Sequence, residues 1–140
     1  MYKHILIPID GSEQAGKALE NAIGLARALS ADVRLTVLHV NPALTLNEPV
    51  IGMDLEQALE EEGKHILEPA AVKLRAAGFA FDTLTADGDP AAVIVRTAKD
   101  ADADLIVMGT RGVGIVSELL LGSVSHGVVQ HAHCPVLLVK

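Results

Sequence analysis

Aromatic side chains are nearly missing from this chain: 140 residues include no tryptophan, one tyrosine and two phenylalanines, Phe79 and Phe81. Single-strand nucleic-acid binders stack bases on such rings, and a formal charge of −7 repels a phosphate backbone besides. Both features argue against nucleic acid as a partner. Cysteine occurs once, as Cys134, so no internal disulfide can form and nothing marks an oxidising compartment. No stretch approaches the roughly 20 apolar residues of a membrane span. The first apolar run, Ile5 to Ile9, is short and broken by Pro8, unlike the apolar segment of a secretory leader. A cytoplasmic protein with no membrane partner is the expectation. Two nucleotide motifs are also missing. No G-x-x-x-x-G-K-[ST] loop is present, which excludes a P-loop phosphotransferase, and the first turn lacks the glycine fingerprint of dinucleotide carriers.

What is present is aliphatic. Half of the residues are apolar, nearly all of them Ala, Val, Leu and Ile, enough for a substantial core in a single domain spanning 1–140. Strand-length apolar runs alternate with helical patterns throughout. His4 to Ile9 ends in Asp10-Gly11-Ser12, where Ser12 can cap a helix that places Ala15, Ala18, Leu19, Ala22, Ala26 and Leu29 on one face. Val33 to Val40 forms the second strand, and Asn41-Pro42 is expected to break it and open a loop over 41–53. A long helix follows, roughly Asp54 to Ala77, in which Pro69 is expected to produce a kink or a split before a Gly78 C-cap. The third strand covers Phe79 to Ala86. Asp87-Gly88-Asp89-Pro90 reads as a loop, with Asp89 capping and Pro90 opening the next helix, which runs to about Asp100. Asp104 to Met108 is the fourth strand and ends at Gly109. A glycine-rich loop and a short helix lead to a last helix, Ser123 to His131, and to the closing strand Pro135 to Val139.

This β-α-β-α-β-α-β-α-β series predicts an α/β fold: an open, doubly wound, five-stranded parallel sheet, Rossmann-like, with helices on both faces. The expected strand order is 3-2-1-4-5. Ligands on such sheets bind beyond the carboxyl ends of the strands, where the order reverses. There the turns Ile9-Asp10-Gly11-Ser12 and Gly109-Thr110-Arg111-Gly112 would lie side by side.

The stretch Met108 to Ser125 has the makings of a phosphate cradle. Gly109, Gly112 and Gly114 let backbone N–H groups approach a ligand without Cβ interference. Arg111 supplies the stretch's one positive charge. Gly122-Ser123 opens a helix whose unsatisfied N–H groups favour an anion. Glycine-rich turns also occur purely as chain reversals, and Asp10 can simply cap its turn. The coincidence of Gly109, Gly112, Gly122-Ser123 and Asp10 favours the cradle.

The spacing Gly109, two residues, Gly112, nine residues, Gly122-Ser123 resembles the pattern of the ATP-binding branch of the universal stress protein family. So do Ile7-Pro8-Ile9-Asp10-Gly11-Ser12, Leu38-His39-Val40 and Cys134-Pro135-Val136-Leu137-Leu138-Val139. The resemblance implies that Asp10 lies by the ribose and phosphates, and that Val40 contacts adenine with Pro8 and Ile9 lining the same side. It implies that the backbone at Gly109, Gly112, Gly122, Ser123 and Val124 holds ribose and phosphates. Met108 and Arg111 occupy variable positions of the same motif. ATP or another adenine nucleotide, with Mg²⁺, is the implied ligand, and a homodimer through Val136 to Val139 the implied assembly. One departure is Gly127, which is expected to loosen the last helix.

Other chemistry is thinner. His131, His133 and Cys134 do not share a helix face and lack a fourth ligand, so no metal site is expected. Ser125-His126 are mere neighbours, with no third partner for a catalytic dyad. His39 reads as packed or capping, and Glu60-Glu61-Glu62 as a solvated face. No general base stands beside the proposed phosphates, so no catalytic residue is assigned. A nucleotide-binding regulatory module is the leading reading, and a slow ATPase or nucleotide-dependent phosphotransferase the alternative.

Overall fold

The computed structural model describes residues 2–29, 32–42, 55–111 and 121–140. Along them run β1 (His4–Pro8), α1 (Glu13–Leu29), β2 (Arg34–Pro42), α2 (Leu55–Ala77), β3 (Phe81–Gly88), α3 (Pro90–Asp100), β4 (Leu105–Gly109), α4 (Ser123–His131) and β5 (Val136–Val139). Every strand pair is parallel, and the order is β3-β2-β1-β4-β5, as the alternation of elements predicts. The glycine loop with Gly112 and Gly114, the short helix expected after it, and 43–53 lie outside the described residues.

Strand periodicity divides the core in two. Ile5, Ile7 and Ile9 pack with Ala18, Leu19 and Ala22 of α1 and Leu67, Ala70 and Leu74 of α2. The alternate residue Leu6 joins Leu38, Val40, Ile106 and Met108 against Val93 and Ile94 of α3 and Val128 of α4. Helices thus cover both faces, and the central strands β1, from end to end, and β4, as far as Met108, are buried, as parallel sheets require. The Asp104 carboxylate accepts from the N–H groups of Lys3 (2.8 Å) and His4 (3.1 Å), tying the start of β1 to β4.

Caps fix the helix ends. The Ser12 Oγ accepts from Ala15 N–H (3.2 Å) and the Asp89 carboxylate from Ala92 N–H (3.0 Å), with Pro90 opening α3. At the end of α2, Gly78 takes φ +80. Its N–H donates to Arg75 O and that of Phe79 to Leu74 O, the paired bonds of a Schellman cap.

The sequence expectations at α2, β2 and β3 are corrected. Pro69 does not split α2, which is continuous from Leu55 to Ala77. Pro69 and His65, whose carbonyl the missing N–H would have met, are both exposed, and the buried Leu67, Ala70 and Leu74 hold both halves to the sheet. Asn41-Pro42 does not end β2, nor does β3 stop at Ala86. The two strands pair as far as Pro42↔Gly88, and the Asn41 amide donates to the Asp87 carboxylate (3.0 Å) across them. Gly127, the departure noted in the last helix, has a packing reason to be glycine. A Cβ there would stand 2.8 Å from that of Ala91, so the glycine is what lets α4 close on α3.

Candidate functional site

The sheet makes its crevice by ending its strands unevenly. β1 stops at Pro8, paired with Leu38, whereas β2 continues to Pro42. The last rung is Ile9 N–H donating to Leu38 O (2.8 Å). The chain then turns at Gly11, whose φ of +84 lies in the left-handed region that side chains resist. The Asp10 carboxylate accepts from Ser12 N–H (2.9 Å). Asp10 therefore does cap its own turn, while standing exposed at the mouth of the crevice.

Across the switch point β4 ends at Gly109. A Cβ there would lie 2.8 Å from Gln14 Cβ and 3.1 Å from the Gln14 backbone, so this glycine is needed for α1 to pack, whatever it does for a ligand. Beyond it the Thr110 N–H donates to Val139 O (2.9 Å), and the Thr110 carbonyl accepts from Gly122 N–H (2.7 Å). The buried Ser125 hydroxyl donates to the same carbonyl (2.7 Å). These bonds lash the start of α4 to the end of β4. Gly122 is the N-cap of α4 and brings no side-chain acceptor. The N–H groups of Ser123, Val124 and Ser125 fall in the first turn, where helix geometry supplies no acceptor.

Between these parts lies a cleft of about 450 Å³, within the roughly 300–1,000 Å³ of small-molecule sites. Pro8, Ile9, Asp10, Val40, Met108, Gly109, Arg111, Gly122, Ser123 and Val124 all line it. Gly112, the other candidate, lies outside the described residues. The structure adds residues that the sequence did not assign to the site: Ser12, His39, Asn41 and Ser125, Glu62 and Ile66 from α2, and Pro90 and Ile94 from α3. The last four belong to helices whose packing on the sheet is a tertiary matter, and Glu62 reads in the sequence as part of a solvated face. Asn41 was hidden because it had been read as a strand break. Glu62 is both exposed and a wall of the cleft.

The main chain facing the cleft follows from strand alternation. Arg34 N–H donates to Lys3 O and Leu38 O accepts from Ile9 N–H, so even positions of β2 turn toward β1. Leu35 N–H goes to Ala80 O on the other side. Val40 consequently points its N–H and C=O toward β1, beyond the last β1 rung.

The remaining candidates separate. His131, His133 and His126 are exposed, whereas Ser125, next to His126, is buried, so the neighbours share no face. No group of three or more His, Cys, Asp or Glu able to hold a metal occurs among the described residues. His39 is buried, its Nδ1 3.1 Å from Ile9 O. No helix among the described residues is long and apolar enough to cross a membrane.

Comparison with known proteins extends to the whole chain. The model of the universal stress protein family matches residues 1–140. The universal stress protein YxiE of Bacillus subtilis is 37% identical, with both chains covered in full. Among solved structures, the hypothetical protein MJ0577 superposes with a TM-score of 0.87 at 35% identity, covering 100% of this chain and 96% of its own. A universal stress protein family protein from Arabidopsis thaliana, solved with AMP bound, gives 0.75 at 26% identity over 99% and 91%.

Proposed function

Because the chain belongs to the universal stress protein family, we propose that its cleft binds an adenine nucleotide, ATP with Mg²⁺, and that it acts as a homodimeric stress-response regulator in the cytoplasm, one nucleotide-binding domain per chain. The observation that carries the reading is the pairing of two backbone features across one cleft. At one end the Val40 N–H and C=O form a donor–acceptor pair, complementary to N1 and the N6 amino group of adenine. At the other, the first turn of α4 offers N–H groups to phosphate, with Arg111 on the same wall. The AMP bound to the Arabidopsis relative is of the same ligand class.

Charge argues for the metal. The chain is net negative, and the carboxylates of Asp10 and Glu62 line the cleft. A bare triphosphate would be repelled there, whereas Mg²⁺ held by phosphates and one or two carboxylates lowers that cost. When bound, the ion would neutralise the phosphates, with Asp10 the residue best placed to meet it. Regulation requires only that the nucleotide bind one state of the protein better than another.

The test is to denature the purified protein and identify any nucleotide released, then titrate Mg·ATP against wild type and Gly122→Val. Micromolar binding lost in the variant supports the reading. No released nucleotide and no binding up to millimolar ATP would refute it.

A further inference from the structure

The chemistry around the Ile9 carbonyl assigns a task to His39 that rests on the nucleotide reading above and deepens it. In a parallel ladder the residue that donates to Leu38 O would next accept from the Val40 N–H. Ile9 makes the first of these bonds (2.8 Å). Its carbonyl, however, is met by the His39 ring at 3.1 Å. A carbonyl only accepts, so Nδ1 carries the proton and donates.

We propose that His39 is a positioning residue for the base: its ring replaces the Val40 N–H as donor to the Ile9 carbonyl, leaving that N–H for the ligand. Without the ring, a buried carbonyl would lack its donor, and the nearest main-chain donor in register is Val40 itself. The Ile9 N–H to Leu38 O bond keeps Ile9 and the Asp10 turn beyond it on β2 with or without the ring. The ring is itself confined, since the residue is 6% exposed and lies under Gly63 of α2, where a Cβ would be in van der Waals contact with His39 Cδ2 at 3.6 Å. His39 thus has little room to swing away. Its side chain satisfies the Ile9 carbonyl while its neighbour's main chain does the recognising.

The experiment separates this role from general stability. Wild type, His39→Leu, His39→Gln and His39→Asn are titrated with Mg·ATP and, as a ligand without a base, with Mg·tripolyphosphate. Asparagine can place its amide N–H where Nδ1 stands; glutamine, one methylene longer, cannot. Leu and Gln should each weaken ATP about tenfold, the scale of one buried hydrogen bond. Asn should restore ATP binding, and tripolyphosphate should bind all four proteins alike. ATP binding unchanged in His39→Leu, or Asn as weak as Leu, would overturn the assignment. So would a parallel loss of tripolyphosphate. A ligand-free measurement judges His39 even if wild type binds no nucleotide at all, which would refute the nucleotide reading instead. By hydrogen exchange, the Val40 amide should be far less protected than that of Leu38, and ¹⁵N shifts should show the His39 proton on Nδ1. Equal protection, or a proton on Nε2, would overturn the inference.

Discussion

The buried Ser125 hydroxyl donates to the carbonyl of Thr110 over 2.7 Å, joining the first turn of α4 to the chain leaving β4. The same hydroxyl lies 3.1 Å from Gly122 O. Removing it leaves the Thr110 carbonyl with the Gly122 N–H alone. Ser125→Ala should therefore cost about 1 kcal/mol of stability, read as a lower urea midpoint with unchanged slope. Ser125→Val, which adds volume in a buried position, should cost more.

Gly127 and Ala91 make a coupled pair. Gly127→Ala would raise helix propensity by about 1 kcal/mol, yet its Cβ would meet the Ala91 Cβ at 2.8 Å. Ala91 sits at the fixed start of α3 and cannot swing aside, so the clash should win and lower stability by about 1–3 kcal/mol. Ala91→Gly in the same chain should recover most of the loss. A double-mutant cycle in denaturant, with a coupling near zero, would contradict the close approach.

At the β5 edge, alternation again tells the main-chain groups apart. Ile106 N–H donates to Pro135 O and Thr110 N–H to Val139 O, so odd positions of β5 face β4. Val136 and Leu138 then turn their N–H and C=O outward, where the proposed homodimer would pair them. Leu138→Pro removes an outward N–H and should yield folded monomers by sedimentation equilibrium. Leu137→Pro removes a donor to β4 and should destabilise the fold itself. A dimer that survives Leu138→Pro would exclude pairing through this strand.

Burial pushes the Cys134 thiol up from its ordinary value, and the negative charge of Asp104 adds to the effect. The thiolate is therefore scarcer in the folded protein than in the unfolded chain at pH 8. Iodoacetamide should label Cys134 more slowly when folded, and denaturant should restore the ordinary rate. The folded state holds this proton more tightly, so its contribution to stability is complete below the unfolded thiol's pKa. It is lost as pH rises through the raised value. Cys134→Ser should flatten that alkaline loss in urea midpoints measured across this range.

Local chemistry was legible wherever a residue acts on its own neighbours. Ser12, Asp89, Pro90 and Gly78 cap as their types dictate, because a cap is settled within four or five residues. Parallel succession was legible too, since right-handed crossovers between alternating strands and helices leave few arrangements. What failed were residues whose meaning depends on a distant partner. Pro69 looks like a break until the sheet beneath holds both halves of its helix. Asn41-Pro42 looks like a loop until Asp87-Gly88 lies beside it.

The sequence by itself determined the elements, their parallel succession, and the glycine and aspartate turns that follow β1 and β4. Each follows from period, turn chemistry or crossover handedness, all short-range. Tertiary structure alone decided why Gly109 and Gly127 must be glycine, since the atoms that forbid a Cβ belong to Gln14 and Ala91. It alone showed that β2 overruns β1, turning the Val40 main chain toward the crevice with the His39 ring on the Ile9 carbonyl. Relative strand length is a property of two segments in contact, and no residue of either segment carries it alone.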